Sequence, residues 1–236
     1  MSIEIQVVDD PAQVCADALT AAAETGEHIV LTGGSTPKHA YELAAAQQAQ
    51  SWRGAKLWFT DDRCVDPSDD RSNFKMVKES LLEPLERAGV EVEFCRRILG
   101  ERGYDEGAIE YERELEHVGG GPGGIRFELV LLGVGPDGHI CSMFPRQESL
   151  EERARFVVGV PEAGLEPFVP RVTLTFTALS HAKRVIVLAT GESKADPIAA
   201  AFADDAPHTH DVPASLLPEH VEDIVVILDE AAASRL

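Results

Sequence analysis

Short apolar runs rich in β-branched residues alternate with helix-patterned stretches along most of the chain. The runs predict strands at 3–8, 29–32, 57–59, 127–132, 156–160, 171–176, 185–189 and 224–228. The stretches between them predict helices at 11–25, 37–50, 73–88, 105–118 and 194–202, with a short one at 230–234. Runs such as LVLLGV and RVIVLA leave no polar face, so they read as strands buried on both sides. Buried strands separated by helices imply an α/β fold: a largely parallel, doubly wound sheet with helices on both faces. The glycine-rich HVGGGPGGIRF (117–127) lies between a helix and a strand inside this pattern and reads as a surface loop. No internal repeat interrupts the alternation, and a single domain over 1–236 is the simplest organisation.

Composition is ordinary for a globular chain of 236 residues, with 44% hydrophobic and 26% charged positions. The apolar runs are too short to span a bilayer. The start MSIEIQVVDD lacks the basic region and apolar core of a signal peptide, so a cytoplasmic protein is expected. Cys15, Cys64, Cys95 and Cys141 are far apart with no CxxC pair, which argues against a disulfide framework or zinc knuckle. Cys141, two residues after His139, reads as a small buried thiol rather than a nucleophile. Charge changes the picture more. Forty-one acidic against 21 basic residues leave a net charge of −20, which repels nucleic acid and anionic membranes. Neither is expected as a partner. Solubility is sufficient reason for such acidity, and against it a few cations gathered in a pocket become informative.

In an open parallel sheet, ligands bind beyond the carboxyl ends of the strands, and four segments place chemistry next to predicted strands. In IVLTGGSTPKHAYELA (29–44), Gly33 and Gly34 allow close backbone approach. Ser35 or Thr36 can cap the helix or meet an anion, and Pro37 suits a first helical turn. In LWFTDDRCVDPSDDRSNF (57–74), Asp61, Asp62 and Arg63 follow a strand and lead through a polar loop to Ser72 and Asn73. The Arg63 fork suits a phosphate, although in isolation a solvated loop with local Asp–Arg pairing is the better explanation of the segment. In LVLLGVGPDGHICSMFP (129–145), Gly133, Gly135, Pro136 and Gly138 shape a tight turn carrying Asp137 and His139, where a carboxylate can orient an imidazole that takes a proton from water. A dinucleotide site would want other spacing and an acid about 20 residues on, where Glu162 is a weak fit. Finally, Arg171 opens the strand in PRVTLTF, and Lys194 follows a strand and turn in LATGESKADPI.

Taken in order, GGSTP, DDR with SNF, GVGPDGHICSMFP, RVTLT and GESK resemble the successive signatures of the 6-phosphogluconolactonase family, within the wider group that includes glucosamine-6-phosphate deaminases. The resemblance spans roughly 31–198. It implies a sugar-phosphate isomerase-like fold and hydrolysis of 6-phospho-D-glucono-1,5-lactone to 6-phospho-D-gluconate in the oxidative pentose phosphate pathway. By the same resemblance His139 is the general base and Asp137 positions it or the substrate. Gly33, Gly34, Ser35, Arg63, Asn73 and Lys194 hold the phosphate, with Arg171 near the anionic end. No metal and no cofactor are implied, because a lactone is already an activated ester. The partner implied is the phosphosugar lactone, and the expected assembly is a monomer or small homo-oligomer.

Three positions depart from the family pattern. Asp62 stands where Glu is common, and Ile140-Cys141 replace a more usual Thr-Ala. The segment before Arg171, PEAGLEPFVP, lacks the expected Pro-Lys pair. Two rival functions share the fold. A glucosamine-6-phosphate deaminase would continue past the GxGxDGH turn with an Asn-Glu-Pro-like triplet, whereas this chain reads Ser142-Met143-Phe144-Pro145. A non-catalytic sugar-phosphate-binding regulator would keep the anion-binding residues without needing His139, and it would tend to carry a DNA-binding extension, whereas the sequence here shows no basic helical segment.

Overall fold

A computed structural model describes residues 2–236. In chain order it contains β1 (Ser2–Val7), α1 (Pro11–Glu24), β2 (His28–Leu31), α2 (Ser35–Gln47), β3 (Lys56–Phe59), β4 (Asp61–Arg63), α3 (Asn73–Val77), α4 (Glu83–Arg87), β5 (Phe94–Cys95), α5 (Tyr104–Gly119), β6 (Leu129–Leu132), β7 (Val157–Val160), β8 (Arg171–Leu174), α6 (Phe176–Leu179), β9 (Val185–Ala189), α7 (Ala195–Phe202), α8 (Leu217–His220) and β10 (Asp223–Leu228). The predicted helix 73–88 is present, with a π turn at Lys78–Leu82 joining α3 to α4.

Seven strands form one parallel sheet in the order β1-β10-β9-β6-β2-β3-β5. The all-apolar runs occupy its middle. All four positions of β6 and all five of β9 are buried, which is what strands covered on both faces require. α1 begins where Asp10 accepts a hydrogen bond from the Gln13 amide (3.0 Å) and Pro11 occupies the first turn. From β2 the chain steps outward through β3 to β5, then returns to lay β6 on the other side of β2. The direction of winding therefore reverses between β2 and β6. A crevice opens there beyond the strands' carboxyl ends.

The expectation of a single sheet needs correction. The predicted strands 156–160 and 171–176 do not join the parallel sheet. They pair antiparallel as β7 and β8, and β4 completes a second, three-stranded sheet in the order β4-β8-β7. The short connection 161–170 leaves no room for a crossover helix, so antiparallel pairing is what remains. β4 follows β3 after Thr60 alone, so one chain segment passes from the first sheet to the second. Strand 171–176 also stops early, because Thr175 caps α6 through the Ala178 amide (3.4 Å). At the C-terminus, the predicted helix 230–234 is a run of turns in which Asp229 accepts from the Ala232 amide (2.7 Å). β1 lies at the sheet edge with Ile3, Ile5 and Val7 exposed. Among the described residues, no helix is long and apolar enough to cross a membrane.

Candidate active site

The crevice at the switch between β2 and β6 holds a cavity of about 260 Å³. Gly33, Gly34, Ser35, Arg63, Asn73, His139, Arg171 and Lys194 all line it. Asp137 does not line it, and sits behind His139 instead.

The first wall is the turn after β2. Tyr41 Oη accepts from the Thr32 amide (3.0 Å) and donates to the Thr32 carbonyl (2.9 Å), fixing the end of the strand. At Gly33 a Cβ would lie 2.0 Å from Asn73 Oδ1, so only glycine fits beside that side chain. Gly34 has φ of 115°, and α2 begins directly after it, two residues ahead of the predicted start. No side chain caps α2, which leaves its first turn of amides available to an anion. Thr36 is otherwise engaged, since its Oγ1 pairs with Thr190 Oγ1 at 3.0 Å. That leaves Ser35 as the hydroxyl for a ligand.

The second wall comes from β4 and β8. The local Asp–Arg pairing considered for 57–74 occurs in the loop, where Arg71 holds Asp69 through Nε (2.9 Å) and Nη2 (2.7 Å), but the Arg63 side chain turns to the Arg71 carbonyl instead of Asp61 or Asp62. Asp62 is buried and accepts from the amides of Arg63 (2.8 Å), Asn73 (2.7 Å) and Phe74 (3.1 Å) and from Ser72 Oγ (3.1 Å). Burial pushes its carboxyl above the ordinary value, outweighing those amides. Asp62 therefore builds the start of α3. Asp61 lines the cavity and accepts from Thr60 Oγ1 (2.8 Å) and Ser142 Oγ (2.6 Å), tying the second segment to the third. Asn73 Nδ2 donates to the Asp61 carbonyl (3.0 Å).

Arg63 and Arg171 face each other across the β4–β8 register. Arg63 Nη1 donates to the Arg71 carbonyl, and its Nε is buried without a partner among the described residues. Arg171 Nε donates to the Val169 carbonyl (3.0 Å) and Nη2 to the Pro167 carbonyl (2.7 Å). Burial and then the neighbouring Arg63 charge bring Arg171 down to about 10, against the pull of Asp61 and Asp62. A guanidinium with that environment is still charged at neutral pH. Arg171 opens its strand, so it reaches the cavity from the second sheet rather than from a carboxyl end of the first.

The third wall is the loop after β6. The Gly135 amide donates to the His139 carbonyl (2.8 Å) and the Gly138 amide to the Gly135 carbonyl (3.0 Å), closing a tight turn. His139 Nδ1 lies 2.5 Å from Asp137 Oδ1, which also accepts from the His139 amide at 3.2 Å. This contact assigns the Nδ1 proton and leaves Nε2 as the unshielded lone pair. Partial burial works to raise the Asp137 carboxyl, but the hydrogen bond and charge of His139 prevail and hold it below its ordinary value. A Cβ on Gly135 would stand 2.1 Å from His139 Nδ1, so the pair exists only over a glycine. Phe144 packs on the imidazole with ring centres 4.6 Å apart.

Lys194 Nζ donates to the Val134 carbonyl (2.6 Å); burial lowers its pKa, and Asp137 opposes that. Cys141 is buried, and burial pushes its thiol well above the ordinary range, which fits the inert-thiol reading. Asp61, Ser142, Phe144 and Glu166 were given no role in the site from the sequence. Their roles depend on partners from distant segments, and no local spacing signals that.

The sequence profile described as glucosamine-6-phosphate isomerases/6-phosphogluconolactonase matches residues 4–226. The chain belongs to this family. Members of the 6-phosphogluconolactonase branch resemble it along most of their length. The 6-phosphogluconolactonase of Haemophilus influenzae is 37% identical over 173 residues, covering 72% of this chain and 70% of that one. That of Mycobacterium tuberculosis is 33% identical over 213 residues, covering 88% and 84%. Among solved structures, 6-phosphogluconolactonase from Trypanosoma cruzi superposes with a TM-score of 0.84 at 26% identity, covering 100% of this chain and 97% of that one. A monomeric glucosamine-6-phosphate deaminase has a TM-score of 0.79 at 18% identity, which shows the shared family fold alone.

Proposed function

We propose that this cavity opens 6-phospho-D-glucono-1,5-lactone to 6-phospho-D-gluconate, with His139 Nε2 as the general base. The observation that carries the reading is the Asp137–His139 pair at one wall of a cavity that also presents Arg63, Arg171 and Lys194. His139 takes a proton from water as its oxygen attacks the lactone carbonyl. The ring C–O bond then breaks, the proton passes from His139 to the departing ring oxygen, and the new acid ionises to solvent. Asp137 keeps the imidazole in the required tautomer and offsets the positive charge it gains. The amides at Gly34–Ser35, together with Arg63 and Lys194, grip the phosphate, and Arg171 adds charge beside Arg63. Each charge-assisted hydrogen bond contributes about 1.5–3 kcal/mol, which holds the carbonyl over the base and supplies rate by orientation. With this reading go a single domain over 1–236 and a cytoplasmic location.

The test is lactone hydrolysis, with substrate made in place from glucose 6-phosphate by a dehydrogenase and the spontaneous rate subtracted. His139→Ala is expected to lower kcat by about 10²–10⁴ while 6-phosphogluconate still binds. Full activity in that variant would overturn the mechanism. Ammonia release from glucosamine 6-phosphate would favour the deaminase reading, and unaltered phosphosugar binding without any turnover in the wild type would favour a regulator.

A further inference from the structure

The cavity has cations on several walls, yet it also contains a carboxylate that nothing in the protein occupies. Glu166 lines it, is exposed, and has no hydrogen-bond or ion-pair partner among the described residues. The other lining carboxylate, Asp61, is consumed by Thr60 and Ser142. An unpaired carboxylate in a site that selects an anion weakens that anion's hold.

The backbone on either side of Glu166 is anchored. Upstream, Gly164 packs so closely on Phe144 that a Cβ would lie 3.0 Å from its ring, and Phe144 in turn packs on His139. Downstream, Arg171 Nη2 holds the Pro167 carbonyl at 2.7 Å. Glu166 thus belongs to the segment that joins the histidine side of the cavity, through Gly164 and Phe144, to the Arg171 clamp.

The chemistry supplies the consequence. The substrate carries charge only on its phosphate, because a lactone carbonyl is neutral. Ring opening creates a second anion, a carboxylate, at the carbon beside His139. We propose that Glu166 discriminates product from substrate by repelling that new carboxylate, and so speeds release of 6-phosphogluconate. This inference rests on the lactonase reading of the same cavity.

Calorimetric titration separates the two. Glu166→Gln and wild type are each titrated with 6-phosphogluconate and with glucitol 6-phosphate, a polyol phosphate without the carboxylate. Removing the charge is expected to tighten 6-phosphogluconate by about three- to tenfold and glucitol 6-phosphate by less than about twofold. Glu166→Asp, which keeps the charge, should stay near wild type. In about 1 M salt, where the screening length falls to about 3 Å, the gain of Glu166→Gln should largely vanish. Equal tightening of both ligands, no change, or weaker 6-phosphogluconate binding would each overturn the proposal. Because these titrations need no turnover, they stand apart from the hydrolysis assay that tests the reaction.

Discussion

Gly135 lies under the Asp137–His139 contact, and any side chain there would occupy the space of the imidazole. Gly135→Ala and Asp137→Asn therefore interfere with the same base in different ways. The alanine pushes His139 off its partner. The asparagine keeps the packing but loses the charge and the tautomer preference. Both are expected to lower kcat by about 10²–10⁴ and to change 6-phosphogluconate affinity by less than about threefold. Steady-state kinetics paired with calorimetry checks this, and a large affinity loss with kcat intact would place the pair in binding instead. The pairing of His139 with Asp137 was legible in the sequence because they stand two residues apart in one glycine-rich turn after a buried run, whereas their roles came from the family resemblance. Asp62 shows the limit of motif reading. It sits in an equally suggestive motif, but its carboxylate is spent on the amides that open α3.

At the scale of elements, legibility followed apolar content. β6, β9 and β10 announce themselves because every one of their central positions is buried and apolar. β4 reads Asp-Asp-Arg and has no strand signature at all. It becomes a strand because β8 lies beside it and the buried polar groups find partners in α3 and the loop after β6. Such pairing is a property of the assembled fold rather than of any window of sequence. The start of the β2–β3 pair offers a test of one such cross-strand contact. Trp58 Nε1 donates to His28 Nδ1 at 2.9 Å, which requires an unprotonated Nδ1. Burial, and then Lys56, lower the His28 pKa, with Glu27 opposing. A depressed folded value means the unfolded chain binds the proton more readily. The stabilisation is thus present above the ordinary histidine value of about 6.5 and fades as pH falls below it. His28→Gln, whose amide oxygen can accept from Trp58 without titrating, should flatten the fall in urea midpoint between about pH 7.5 and 5.5. An unchanged slope would assign that fall to other groups.

The whole molecule sets a problem that its site has to solve, since a chain with net charge −20 must admit a phosphosugar anion. Two unit charges about 20 Å apart in water interact by only about 0.2 kcal/mol. Summed over the uncompensated surface and a doubly charged phosphate, the repulsion reaches several kcal/mol before screening. Arg63, Arg171 and Lys194 act over a few ångströms, from a partly desolvated cavity where salt penetrates poorly. The two fields therefore respond differently to ionic strength. At about 10 mM salt the screening length is about 30 Å, long enough for the whole surface to act on an approaching substrate. At about 150 mM it is about 8 Å, which silences most of the surface while the cavity cations still reach the phosphate. kcat/KM for the lactone should accordingly rise several-fold between those conditions, with the spontaneous rate measured alongside and subtracted. Because screening acts on the approach and not on the bond-making step, the gain should appear in KM while kcat stays nearly constant. A curve that falls from the lowest salt onward would mean that the local cations govern capture at every distance and that the acidic surface is electrostatically silent toward the substrate.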